Sequence, residues 1–228
     1  MRHSTPIPSD PSDAPPDATE LTPSRPAGEE RRRQIVREAI RCFAAKGFRG
    51  TTIRELASQV GITEAALYRY FPSKEALYQA IIDEKIAAPD PIEGLEAAAR
   101  SGDDRAVFGE LARSFLESVD ADPSFLRILL YTGLEGHELA APFFAQRIRR
   151  LREFVAGYIA QRVREGAFRA VDPLLGSRAF LGMVVDYLIV RQVFQQRDVY
   201  PDDPQQVAET FVSVFLDGIR SRGGDADV

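Results

Sequence analysis

Thr51–Leu77 reads TTIRELASQVGITEAALYRYFPSKEAL, and the fold turns on this stretch. It opens with Thr52-Ile53-Arg54-Glu55, the spacing of a capping box in which Thr and Glu each satisfy a backbone donor of the other. Ile53, Leu56, Ala57 and Val60 then form one apolar stripe, as on a short amphipathic helix. Gly61 ends that helix where a left-handed residue is needed to turn the chain. Thr63 caps a second helix whose inner face carries Leu67 and Tyr70, and Pro72 with Ser73 stops it and starts a third. Two helices crossing at roughly 90–120° over a short turn need a small residue at the contact, a Gly in the turn and apolar plugs. Ala57, Gly61 and Leu67 supply these, with Leu56, Val60 and Ile62 completing a small core. The pattern is that of a helix-turn-helix.

Upstream, residues 1–28 hold seven of the fifteen prolines and only Ile7 and Leu21 as aliphatics larger than Val. Such a segment buries too little surface to offset its ordering entropy, so a disordered tail is expected. Downstream the chain reads as helical, without strand alternation. Asp90-Pro91, Asp122-Pro123, Asp172-Pro173 and Asp203-Pro204 each suit a helix start, because Asp caps exposed N–H groups and Pro loses no bond there. Helices are expected near 104–120, 123–132, 139–165, 173–196 and 204–221. The expected division is a tail over 1–28, a DNA-binding domain with its linking helix over 29–88, and a helical domain over 89–228.

With 44% apolar and 28% charged residues, the composition is that of a soluble globular protein. The apolar stretches are broken by Gly, Asp or Arg before roughly 18 residues, so no membrane span is expected. The N-terminus shows no secretory pattern. A single cysteine, Cys42, excludes an internal disulfide and fits a reducing cytoplasm, and its neighbours Ile35, Ala39 and Phe43 suggest a buried, inert thiol. The net charge is -5, yet Glu29–Lys85 carries eight Arg and three Lys against eight acids, a local excess of three positive charges. A local basic patch is what nucleic acid requires. No metal-ligand cluster, phosphate loop or nucleophile elbow is present, and His3 and His137 leave little for acid–base chemistry. No enzyme activity, cofactor or metal is therefore expected.

A first helix over Arg33–Lys46, then TTIRELASQVGIT and above all LYRYFPSKEAL, resemble the TetR family of bacterial transcriptional regulators over about residues 30–80. The resemblance implies an all-α protein: a three-helix DNA-binding domain, a divergent ligand-binding and dimerisation domain, and a homodimer on double-stranded DNA. It implies a regulator, read here as a repressor, released from a near-palindromic operator by a small molecule. A DNA binder without an effector is the alternative.

The second helix of such a motif lies in the major groove with its N-terminal residues at base edges. Here those are Thr63, Glu64, Ala65 and Ala66, with Tyr68 and Arg69 one turn on. The resemblance assigns phosphate contacts to Thr52, Tyr68, Tyr70 and Lys74, and a base contact to Arg54; a guanidinium can bond guanine bidentately. Arg69 fits either role. Glu64 can accept from cytosine N4 or simply complement its own helix dipole. Tyr70 also fits a half-core position.

In the helical domain, Phe180, Val184, Leu188, Val207, Phe211, Val214 and Phe215 are expected at a dimer seam built from the last two helices. Monomer core is the competing reading for them. Candidate pocket walls are Phe108, Phe115, Leu129, Tyr131, Phe144, Phe154, Tyr158, Met183 and Tyr187. Asp186, an acid in an apolar run, would bond either a ligand cation or an Arg across the dimer. His137 is expected on a loop surface, and arginines 147, 149, 150, 152, 162 and 164 on a solvated helix face.

Overall fold

The computed structural model describes residues 25–200 and 203–221, which are helical apart from turns and one isolated bridge between Phe168 and Arg220. Residues 1–24 of the expected tail lie outside the described residues. Residues 25–28, assigned above to that tail, are instead helical: α1 spans Arg25–Lys46. Pro26 in its first turn removes no intrahelical bond.

The DNA-binding unit is α1 with α2 (Ile53–Val60), α3 (Glu64–Tyr70) and the linking helix α4 (Lys74–Ala87). Ile35, Ala39 and Phe43 of α1 meet Leu56 and Val60 of α2, Leu67 of α3, Phe71, and Leu77 and Ile81 of α4 in one core. Those side chains are fully or almost fully buried, and each larger than Ala39 is worth roughly 1.5–3 kcal/mol of transfer free energy. Cys42 is half-buried beside this core. Burial pushes its thiol up from the usual range, so it stays protonated.

After a turn at Asp90–Gly94 come α5 (Leu95–Ser101), α6 (Asp104–Ala121) and α7 (Ser124–Glu135). The Asp–Pro rule holds for α10 and α11, whose caps Asp172 and Asp203 accept from Leu175 and Gln205. Asp122 accepts from Ser124 N in the same way, just ahead of α7. Asp90 departs from it: its carboxylate is buried and accepts from Ile92 N within a turn, and Arg147 and Arg150 approach it at 3.5 and 3.3 Å. Charge pairing across to another helix takes the place of a cap. The expected 139–165 helix is α8 (Ala141–Phe143) running through a π turn at Phe144–Ile148 into α9 (Arg149–Arg164). α10 (Pro173–Leu188) likewise ends in a π turn, Ile189–Val193, before α11 (Pro204–Ile219).

The second core gathers around Phe108, whose ring centroid lies 4.8 Å from Phe180, 4.9 Å from Phe215 and 5.8 Å from Tyr158. Val107, Leu111 and Leu116 of α6, Val155 and Ile159 of α9, and Leu216 of α11 close it. Tyr158 donates to Asp104 at 2.7 Å, and Arg162 binds the same carboxylate at 2.8 Å. Burial and the Asp104 carboxylate push the Tyr158 hydroxyl far above its ordinary range, which keeps it a donor.

Candidate nucleic-acid interface

The turn of the helix-turn-helix is Gly61–Ile62–Thr63. Gly61 has φ 72°, a left-handed conformation that costs glycine nothing, and its N–H returns to α2 carbonyls. Thr63 Oγ1 accepts from Ala66 N at 3.1 Å and starts α3. Thr52 Oγ1 accepts from Glu55 N at 3.2 Å and starts α2. Half of the expected capping box forms. The Glu55 carboxylate turns instead to the Lys46 ammonium at the end of α1, a charged partner stronger than a backbone amide.

Most of the predicted DNA contacts face solvent. Thr52, Arg54, Thr63, Glu64, Ala65, Tyr68 and Arg69 are exposed, with Tyr68 47% accessible. Ala66 and Tyr70 are half-buried, so Tyr70 combines a core side with an outward edge. Lys74 sits differently. Its Nζ donates to the carbonyls of Phe48 and Thr51, both at 2.8 Å, and lies 4.2 Å over the Phe48 ring. The ammonium therefore binds the turn that precedes α2, with one N–H left for an outside anion.

Of the predicted pocket residues, only three come together. Met183, Asp186 and Tyr187 line a cleft of about 350 Å³ between α10 and α11, with Tyr200 and Phe211. Phe108 and Tyr158 belong to the packed core, with Phe115 and Phe154 against it. Leu129 and Tyr131 face the DNA-binding unit, where Tyr131 donates to Ala45 O at 3.1 Å. Phe144 is 46% exposed in the π turn. Asp186 is exposed in the protomer, so its charge bears no burial cost there.

The expected seam splits as well. Phe180, Val184, Leu188, Val207 and Phe215 are buried in the protomer core, whereas Val214 is 60% exposed and Phe211 half-buried. The split falls within α11, where Val207 and Phe215 turn inward and Val214 turns out, so its apolar residues occupy two faces. Of the six arginines read as a solvated face, Arg147 and Arg162 instead turn in to Asp90 and Asp104.

His137 is not loop surface. Its ring packs edge-on against Phe48 and Tyr78, at 5.3 and 5.6 Å, beneath the turn that leads to α2. Glu135 and the exposed Arg49 belong to the same region and were missed. An acid at a helix end and an Arg in the turn Gly47-Phe48-Arg49-Gly50 carry no periodic signal.

A helix-turn-helix whose second helix presents hydroxyls and a guanidinium to solvent, mounted on a separate helical core, defines a DNA-binding transcription regulator. The chain belongs to the TetR family. Residues 35–81 match the family described as bacterial regulatory proteins, tetR family. Residues 106–218 match the AefR-like transcriptional repressor C-terminal domain. The HTH-type transcriptional repressor KstR2 of Rhodococcus jostii is 30% identical over 197 residues, covering 84% of this chain and 92% of that protein. The HTH-type transcriptional repressor Rv1474c of Mycobacterium tuberculosis is 32% identical over 188 residues, covering 78% and 87%. Among solved structures, NalD, a secondary repressor of an efflux pump in Pseudomonas aeruginosa, superposes with TM-score 0.63 at 19% identity, covering 85% of this chain and 98% of that one. AibR, solved with isovaleryl coenzyme A and operator DNA, superposes with TM-score 0.60 at 24% identity, covering 81% and 97%.

Proposed function

We propose that this protein is a repressor that binds a near-palindromic operator as a homodimer and leaves it when a small molecule occupies the helical domain. The observation that carries the reading is the exposed surface of α2 and α3, where Arg54 and Arg69 stand among Thr52, Thr63 and Tyr68. Hydroxyls and helix N-termini suit phosphate oxygens, and arginine suits guanine edges. Its role is binding rather than catalysis, and it acts where the chromosome is, in the cytoplasm. The proposed division is a tail over 1–28, a DNA-binding domain over 29–88 and a regulatory domain over 89–228; α1 extends a few residues into the first segment, and Ile128 and Ala140 of the third pack into the core of the second.

Dimerisation is supported by the outward faces of α10 and α11. Leu174 and Leu175 are 56% and 70% exposed, and Val185, Ile189, Phe211 and Val214 continue the apolar surface. Pro173–Val193 is long and apolar enough by composition to cross a membrane: its most apolar 18 residues have a mean hydropathy of 1.5, and 28% of them are buried in the protomer. The Gly, Asp and Arg interruptions had argued against such a stretch. Its inner side fills the core and its outer side awaits a second copy. Two recognition helices related by a two-fold would then meet successive major grooves about 34–36 Å apart.

The cleft at Met183, Asp186 and Tyr187 supports an effector site beside that seam, within the usual size range of small-molecule pockets. Fluorescence anisotropy with DNA from around its own gene, titrated with a metabolite panel that includes acyl-coenzyme A thioesters, tests the whole reading. Tight, salt-sensitive binding to a near-palindrome, weakened by one compound, is expected. Binding that no compound weakens would leave a DNA binder without an effector.

A further inference from the structure

Glu135 is the last residue of α7, in the helical domain, and both its carboxylate oxygens bind the DNA-binding unit. Oε2 accepts from Phe48 N and Oε1 from Arg49 N, each at 3.1 Å, across more than 80 residues of sequence. An acid at the negative end of its own helix is electrostatically misplaced, so helix formation does not explain it. The surroundings do. A Cβ at Gly47 would collide with this carboxylate, and Gly47 adopts φ 74° to let the chain pass. His137 Nε2 lies 3.2 Å from Oε2, which holds the carboxylate from the other side. The Glu135 side chain is left 13% exposed.

What is held is the turn from Gly47 to Thr51. Thr51 is fully buried, its hydroxyl donates to Gly47 O at 2.8 Å, and Lys74 grips the carbonyls of Phe48 and Thr51. The next residue is Thr52, the cap of α2, followed by Arg54. Neighbouring bonds stitch α7 to the end of α1: Arg127 Nε donates to Ala44 O at 2.8 Å, and Tyr131 to Ala45 O. The two free amides of a turn beside the DNA surface are thus satisfied from the other domain.

We propose that Glu135, steadied by His137, is a positioning residue for DNA binding: it sets the N-terminus of α2 and makes operator affinity depend on where α7 stands. The inference rests on the reading of α2 and α3 as the DNA-binding surface. It gives the helical domain a non-covalent route to that surface in addition to α4.

The test compares Glu135→Gln, Glu135→Ala and Glu138→Gln in the full chain, using a DNA duplex that the wild-type protein binds. Glu138 is exposed three residues on. Removing a negative charge from a DNA-binding protein should by itself strengthen binding. Glu138→Gln should therefore bind as well as wild type or slightly better. Glu135→Gln keeps one acceptor and should bind about ten-fold more weakly, and Glu135→Ala weaker still, the scale of one charge-assisted hydrogen bond. The salt slope should not change, because no phosphate contact is lost. Amide exchange should accelerate in 47–52 but not across the α1–α2 core. A purely structural role would lower the melting temperature and leave the affinity of the folded protein unchanged; that result overturns the proposal. Should the Glu135 variants not fold, exchange in the wild type decides: Phe48 and Arg49 amides exchanging as fast as an open turn would refute the latch, and protection would support it. Wild type that binds no DNA at all would instead sink the reading of α2 and α3.

Discussion

Lys74 Nζ donates to the carbonyl oxygen of Thr51 at 2.8 Å, one residue before the cap of α2. A side chain expected to meet phosphate thus also fixes the backbone that presents Thr52. Lys74→Ala should weaken binding to specific and random duplexes by similar factors and lower the salt slope by about one unit. It should also cost stability, at roughly 2–4 °C of melting temperature per kcal/mol lost for a chain of this size. A changed sequence preference with an unchanged slope would show that Lys74 reads bases.

Arg54 stands exposed in the first turn of α2. Arg54→Ala is expected to relax preference at one base pair per half-site, at about 1–3 kcal/mol. Selection of binding sites from a random pool measures this, and an identical consensus for variant and wild type would remove Arg54 from base reading.

The two faces of α11 give opposite outcomes for one kind of change. Val214→Glu, on the outward face, should yield a folded monomer by sedimentation that no longer holds the operator. Phe215→Glu places a charge against Phe108 and Phe180 in the core and should prevent folding. A Val214→Glu protein that remains dimeric would place the seam elsewhere.

Tyr158→Phe removes the donor to Asp104 while leaving Arg162 on that carboxylate. A net loss of about 0.5–1.5 kcal/mol is expected from one hydrogen bond, with DNA affinity unaltered. Thermal denaturation with anisotropy on the same sample checks both, and weakened DNA binding would link this core to the interface.

Met183→Trp should fill the cleft between α10 and α11 and abolish the response to an effector while sparing operator affinity. By reciprocity, an effector that lowers operator affinity must bind correspondingly more weakly to the DNA complex. Calorimetry on wild type and variant, with and without duplex, follows both effects. A Met183→Trp protein that still responds fully would move the effector site away from this cleft.

The DNA-binding unit was legible because its instructions are local. Thr52, Gly61, Thr63 and Ser73 act within a few residues of themselves, through caps and a left-handed turn, and the structure places each in that role. Asp172 and Asp203 mark their helices for the same reason.

What tertiary structure alone decided was which side of each helix faces what. The composition of α10 made it apolar on all sides, so Phe180 and Leu175 looked alike in sequence; packing against Phe108 buried the first and left the second 70% exposed. Asp104 gave no sign of the Tyr158 and Arg162 that meet it from α9. Glu135 and His137 gave none of the turn they hold more than 80 residues upstream. A cap or a turn is specified by neighbours along the chain, whereas a helix face, a buried charge pair and an inter-domain latch depend on residues that only folding brings within a few ångströms.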